Sequence, residues 1–279
     1  MLNLPSTRYL LFGSTGRLGS LCADLVTARG IPFGNLQRNG DLVFAGSGIG
    51  NLDRGTAAPG RYTVIDASVD YSSLERMEAH EDTKLAFLES LNARGDLGGL
   101  LAFSSGVVEF DDAAIKTEWH RRYKRLKLRL EGFARDLSCP AYCPRLFVVI
   151  GPYSFKAATT GWVDVIRQVC AGARVGMAMP NEPRSWVAET FLSEELSRYF
   201  DAPGEVRRTT PLNGTFCLGE IARFVAEQQN RPVVIEPRDV TGWLSVPYVS
   251  RAMPVKAREY SLEHVLAPLV AAHVASLRP

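Results

Sequence analysis

The apolar run Tyr9-Leu10-Leu11 gives way to Phe12-Gly13-Ser14-Thr15-Gly16-Arg17-Leu18-Gly19, and this stretch constrains the fold of the chain more than any other. A strand that becomes a helix within a few residues needs glycine at the turn, and the three glycines here each have a task. Gly13 permits the tight turn, Gly16 lets the backbone approach a pyrophosphate, and Gly19 lets the helix lie close to the strand. The free N–H groups at the start of such a helix face the anion. With Ser14, Thr15, Arg17 and Leu18 completing the loop, the segment reads as a site for dinucleotide phosphates, spaced G-x-x-G-x-x-G. Leu18, Leu21 and Leu25 then recur at helical period and predict a helix over Arg17 to Ala28.

A length of 279 residues with 46% hydrophobic content accommodates one large α/β domain, or a core domain with a smaller lobe. Lys and Arg number 32 against 30 Asp and Glu, so the net charge of +2 makes no electrostatic case for nucleic acid or a membrane surface. The dense basic run Arg121, Arg122, Lys124, Arg125, Lys127, Arg129 reads as a solvated helix face. Met1 to Pro5 lack a charged segment leading into an apolar one, and no apolar run reaches the ~18 residues of a membrane span, so a cytoplasmic location is expected. The five cysteines, Cys22, Cys139, Cys143, Cys170 and Cys217, are scattered and odd in number, which suits reduced thiols. Cys139 and Cys143 flank Pro140 without a second Cys or His pair nearby, and no metal is expected.

Strand-like and helix-like segments alternate through the first half, the pattern of a parallel sheet covered by helices. Strands are expected at Tyr9 to Phe12, Phe33 to Gln37, Leu42 to Ala45, Tyr62 to Ala67, Gly99 to Ser104 and Ala141 to Ile150. Helices are expected at Ser73 to Ala93 and at Ile115 to Leu137. Beyond residue 153 the periodicity weakens; helices are read at Gly161 to Ala171, Glu189 to Tyr199, Leu218 to Gln229 and Leu262 to Leu277, with short strands near Val175 to Met179 and Val233 to Glu236. The expected architecture is α/β: a Rossmann-type doubly wound parallel sheet over residues 1–153, and a smaller C-terminal substrate lobe over 154–279 into which core elements could return.

Tyr123 and Lys127 stand one helical turn apart and share a face. A phenol with a pKa near ~10 is a poor proton shuttle at neutral pH, and a neighbouring ammonium favours the phenolate and lowers that value. Ser104 and Ser105 close a strand upstream, where a hydroxyl could bond a substrate oxygen. Together, the glycine turn, the strand-end serines, Tyr123-x-x-x-Lys127 with Glu131 a turn beyond, and Pro144-Arg145-Leu146 through Gly151-Pro152-Tyr153 resemble the extended branch of the short-chain dehydrogenase/reductase superfamily. Arg184-Ser185-Trp186-Val187 and Leu218-Gly219-Glu220-Ile221-Ala222 follow in the order that branch would have them. It contains sugar-nucleotide epimerases, dehydratases and 4-ketoreductases.

The resemblance implies that Tyr123 exchanges a proton with the reacting carbonyl or alcohol, and that Lys127 holds the nicotinamide ribose and depresses the tyrosine pKa. It implies a strand-end hydroxyl as well. Counting back four from Phe110 reaches Gly106; either a residue is inserted in Val107-Val108-Glu109 and Ser105 serves, or the hydroxyl role is weaker here. Ser105 is taken as catalytic and substrate-binding, with Ser104 on the cofactor side. Asp66, Ala67 and Ser68 would wrap the adenine-ribose half, mainly through backbone. Gln37-Arg38-Asn39 offers an arginine and no carboxylate before Asp41, which favours NADP(H) over NAD(H), with Arg38 at the 2′-phosphate. Arg184 would take a substrate phosphate. Trp162 and Trp186 are read as core or pocket wall, and His80, His120, His264 and His273 as exposed or capping. Gly106-Val107 replaces the acidic pair of the dehydratases, so elimination is not expected. The expectation is reduction of a keto group on a 4-keto-deoxysugar nucleotide with NADPH. An NAD-dependent nucleotide-sugar epimerase and a non-catalytic NADP(H)-sensing regulator are the alternatives, and a homodimer is left open.

Overall fold

The computed structural model describes residues 8–31, 33–36, 41–44, 49–51, 61–156, 161–172, 174–205, 208–238 and 242–276. The chain forms two compact units, and it passes between them more than once. One comprises Met1–Ser104, Tyr123–Pro144 and Glu195–Thr209; the other comprises Ser105–Arg122, Arg145–Glu194 and Thr210–Pro279.

The first unit is built on a seven-stranded sheet. In chain order it holds β1 (Arg8–Phe12), α1 (Arg17–Ala28), β2 (Phe33–Leu36), β3 (Asp41–Phe44), β4 (Ile49–Asn51), β5 (Tyr62–Asp66), α2 (Leu74–Ala93) and β6 (Leu97–Ala102). The part of α3 (Glu118–Arg135) from Tyr123 onward and the strand Ala141–Tyr142 complete it. The spatial order is β4-β3-β2-β1-β5-β6 followed by Ala141–Tyr142. From β2 to Ala141–Tyr142 every neighbour is parallel, as the alternating pattern predicts. β3 and β4 depart from it, pairing antiparallel to β2 and to each other. Only residues 37–40 separate β2 from β3, and a parallel return needs a crossover of a dozen or more residues, so the chain can only double back.

β5 is buried at all five positions, the mark of a central strand covered on both faces. Its Tyr62 and Val64 share a core with Leu10 and Phe12 of β1, Leu85, Leu88 and Leu91 of α2, Leu100 of β6, and Leu130 of α3. α2 begins where the Ser73 side chain accepts a hydrogen bond from the Arg76 N–H, a side-chain cap that ends the loop and starts the helix. The expected single strand over Ala141 to Ile150 is three short pieces: Ala141–Tyr142, Arg145–Leu146 and Val148–Ile150. Pro144 has no N–H to continue a ladder, while its carbonyl accepts from the Ser104 N–H at 2.9 Å.

The second unit contains a three-stranded sheet in which Val148–Ile150 pairs parallel with Arg184–Ala188, and Gly214–Phe216 pairs antiparallel with that same strand. Arg174–Ala178 and Val234–Arg238 form a separate parallel pair. Helices Gly161–Ala171, Leu218–Gln228 and Leu262–Ser276 belong to this unit. Trp162 and Trp186 are each 2% exposed, so both are core residues here. Gly151-Pro152-Tyr153 is anchored by buried Glu189, whose carboxylate accepts from the Tyr153 N–H at 2.9 Å and the Ser154 hydroxyl at 3.1 Å. Among the described residues no helix is long and apolar enough to cross a membrane.

Candidate active site

The turn after β1 has the geometry its glycines imply. Gly13 has φ +76°, a left-handed conformation that L side chains rarely adopt. A Cβ there would stand 2.8 Å from Ser68 Cβ and 2.9 Å from the Ala67 carbonyl oxygen. The Gly16 N–H donates to the Gly13 carbonyl at 2.9 Å, which closes the turn. Gly19 has no room for a side chain, since its Cβ would lie 1.9 Å from the Gly13 carbonyl oxygen. Gly16 caps α1 without a side chain, and α1 has no acidic residue in its first turn. The leading N–H groups of α1 thus have no carboxylate of their own helix turn competing with an anion, and the residues present fit a dinucleotide pyrophosphate.

The segment after β5 forms the wall of this turn. The Ala67 N–H donates to the Phe12 carbonyl at 3.1 Å, tying the two strand ends together. Asp66 is 2% exposed, and its carboxylate accepts from Lys84 Nζ at 2.9 and 2.8 Å and from the Ser68 N–H at 3.2 Å. Burial pushes the Asp66 carboxyl up, but the charges of Lys84 and Lys127 and these hydrogen bonds outweigh it and hold the group below the usual range. Its side chain is committed inside the protein.

On α3, Tyr123, Lys127 and Glu131 follow one another at intervals of four and share a face. Lys127 is 2% exposed, with its ammonium 5.7 Å from the centre of the Tyr123 ring. The basic run is therefore not a uniformly solvated face: Lys127 is inside, while Arg122 pairs with Glu118 at 3.1 Å and Arg129 with Asp82 at 2.7 Å on the surface. The exposed ring of Tyr71 lies 6.1 Å from that of Tyr123. Ser104 and Glu131 meet across 27 residues of chain, the Ser104 hydroxyl donating to Glu131 Oε1 at 2.6 Å.

Ser105 belongs to the second unit, where its hydroxyl accepts from the Val107 N–H at 3.3 Å and opens the short 3-10 helix Gly106–Glu109. Gly106 admits no hydroxyl side chain in this packing, because its Cβ would lie 2.5 Å from the Phe147 ring. Arg184, also in the second unit, has a buried Nε with no hydrogen-bond partner among the described residues. Arg38 lies outside the described residues.

Sequence reasoning missed two participants. His80, read as exposed or capping, is half-buried with Nε2 2.9 Å from the Ser68 hydroxyl oxygen. Lys84 belongs to no sequence motif, although it and Glu81 occupy the stripe Met77, Glu81, Lys84, Leu88, Leu91 at alternating spacings of four and three, where core residues belong. The cysteines are free thiols, burial pushing Cys22 well above its ordinary value. Among the described residues no group of three or more His, Cys, Asp or Glu could hold a metal ion.

No family model and no curated protein matches the sequence. Solved structures do match. The chain is similar to RMD from Pseudomonas aeruginosa, solved in complex with NADPH, at TM-score 0.68 and 15% identity, covering 98% of this chain and 99% of that one. It is similar to UDP-glucose 4-epimerase from Thermotoga maritima, solved with UDP-glucose, at TM-score 0.66 and 16% identity over 98% and 100% of the two chains. The dTDP-4-dehydrorhamnose reductase of Yersinia enterocolitica matches at TM-score 0.66 and 15% identity, with the same coverage. The fold is a Rossmann-type α/β fold. It is shared with these three proteins over 99–100% of their length.

Proposed function

We propose that the chain is an NADP(H)-dependent oxidoreductase that reduces a keto group, with a 4-keto-deoxysugar nucleotide as substrate. The observation that carries this reading is the buried Lys127 ammonium held beside the Tyr123 ring, in the same unit as a glycine turn shaped for a pyrophosphate. When bound, the reduced nicotinamide supplies a hydride to the carbonyl carbon. Ser14, Thr15, Arg17 and Leu18 hold the pyrophosphate by backbone N–H groups on the turn that Gly13, Gly16 and Gly19 shape, and residues 66–68 with Ser104 line the same side. Lys127 binds the nicotinamide ribose hydroxyls and favours the phenolate form of Tyr123. Tyr123 Oη delivers the proton to the carbonyl oxygen, and the Ser105 hydroxyl bonds that oxygen. Arg184 pairs with a substrate phosphate through its Nε, which has no hydrogen-bond partner among the described residues, and residues 154–279 chiefly bind substrate.

Arg38 selects NADPH over NADH in this reading. One charge-assisted bond of ~1.5–3 kcal/mol to the 2′-phosphate corresponds to roughly a tenfold to hundredfold preference in Kd. The NADPH of the Pseudomonas structure is in keeping with it, whereas the likeness to UDP-glucose 4-epimerase favours a second reading, epimerisation on a retained NAD. The deciding experiment supplies NADPH and dTDP-4-dehydrorhamnose, then other 4-keto nucleotide sugars, and follows cofactor oxidation against alcohol formed. Equimolar oxidation is expected. Interconversion of UDP-hexoses without net cofactor change would replace the reductase by the epimerase. Dinucleotide binding with no turnover of any such substrate would leave a sensing regulator and overturn both.

A further inference from the structure

α2 presents Glu81 at 2% and Lys84 at 3% exposure along a stripe otherwise made of Met77, Leu88 and Leu91. Taking an ammonium out of water costs several kcal/mol unless geometry and hydrogen bonding offset it, and a well-packed apolar residue often does as well for stability alone. Lys84 is fully engaged nonetheless. Its Nζ donates to both Asp66 oxygens, to the Ser68 carbonyl at 2.9 Å, and lies 2.8 Å from Glu81 Oε1. The Ser68 hydroxyl donates to Asp66 Oδ1 at 3.1 Å and meets His80 Nε2 on its other side. Ser68 is thereby held at its amide, its carbonyl and its hydroxyl, by partners on β5 and α2. Ser68 is also the residue whose Cβ a side chain at Gly13 would strike.

We propose that Lys84 is a positioning residue for the dinucleotide: through Asp66 and the Ser68 carbonyl it fixes the wall on which the glycine turn rests, and so sets cofactor affinity without taking part in the chemistry. The inference rests on reading that turn as a dinucleotide site. A loop held in its binding conformation before the ligand arrives avoids the ordering cost at binding, which is why a clamp of this kind acts on Kd. Asp66 cannot play the part alone. Its carboxylate reaches Ser68 only at the amide and hydroxyl, whereas Lys84 holds the carbonyl as well.

The test compares unmodified protein with Lys84→Met and with the Glu81→Gln/Lys84→Met double variant, which removes one charge of each sign from a buried pair and leaves Asp66 in place. Circular dichroism establishes folding, fluorescence titration gives the Kd for NADPH and NADH, and kinetics separate the cofactor KM from kcat. The expected result is a rise in Kd and cofactor KM of about tenfold, one lost hydrogen bond's worth, with kcat at saturating cofactor little changed. Should Lys84→Met not fold, the double variant carries the comparison, since replacing both members of a buried pair is tolerated far better than removing one. Folded variants with the unmodified Kd, or a fall in kcat at constant KM, overturn the proposal. Unmodified protein that binds neither dinucleotide overturns the reading of the turn itself, an outcome visible before any variant is made.

Discussion

Two buried lysines divide the work between them at the scale of single residues. Lys84 is surrounded by Asp66, Glu81 and the Ser68 carbonyl; burial pulls its pKa down, but the two carboxylates raise it further, and it stays charged. Lys127 shares the field of Asp66 and stands beside Tyr123 instead. In the proposed reaction a cation there would favour the phenolate, which is what the acid role assigned to Tyr123 requires. Tyr123→Phe removes the proton but keeps the ring. It is expected to lower kcat by at least ~10²-fold while the Kd for NADPH holds, and turnover close to that of the unmodified protein would rule Tyr123 out as the acid. The strand-end serines differ in the same concrete way. Ser104 donates its single proton to Glu131, whereas the Ser105 hydroxyl oxygen accepts from the Val107 N–H. Ser105→Ala is thus expected to lower kcat more than Ser104→Ala, whose loss shows first as stability, about 1.5–3 kcal/mol for a bond to a charged group. The reverse order in kcat, with stability unchanged, would transfer the role to Ser104.

Among the elements, the β1-turn-α1 unit leaves little room for change. Its helix approaches the turn so closely that a Cβ on Gly19 would collide with backbone, at 1.9 Å from the Gly13 oxygen and 2.6 Å from the Gly13 carbonyl carbon. Backbone cannot rotate aside as a side chain can. Gly19→Ala is therefore expected to cost ~1–3 kcal/mol in urea unfolding, the range for overpacking, and to weaken dinucleotide binding because α1 must move away from the turn. Binding and stability equal to those of the unmodified protein would mean that this close approach is not required. Much of the element was legible from the chain: Arg17–Ala28 is helical over the residues that period and glycine placement predict. α2 was legible in its extent, yet its meaning lay in two charged residues on an apolar stripe. That signal is present in the sequence but silent about partners, since Asp66 lies 18 residues from Lys84 and on a strand.

For the whole molecule, pH reports on the same network. Burial lowers the pKa of His80, His120 and His273, and the Lys84 charge adds to this at His80. A histidine whose folded pKa is below its unfolded value of ~6.5 binds protons better when unfolded, so stability falls as pH drops below that point. Asp66 works at lower pH. Its contribution is present above ~3.9 and is lost as pH falls through its depressed folded value, while that of Lys84 is present below ~10.4 and is lost as pH rises through its raised one. The melting temperature is expected to be highest between roughly pH 6.5 and 8.5, because the buried Cys22 thiol keeps its proton in the fold where the unfolded thiol loses it, and His80→Gln should shallow the decline on the acid side. An acid decline identical in that variant would remove His80 from the account. The sequence by itself determined what depends on near neighbours: the glycine turn, the helical periods, the one-turn spacing of Tyr123 and Lys127, and the alternation that builds a Rossmann-type sheet. Tertiary structure alone decided the rest. The Ser104–Glu131 bond, the Lys84 clamp on Ser68, the break of the expected strand at Pro144 and the interleaving of two units all join residues far apart in the chain. Periodicity records which face of an element is apolar, but a polar side chain acquires its role only from the partner that folding places opposite it.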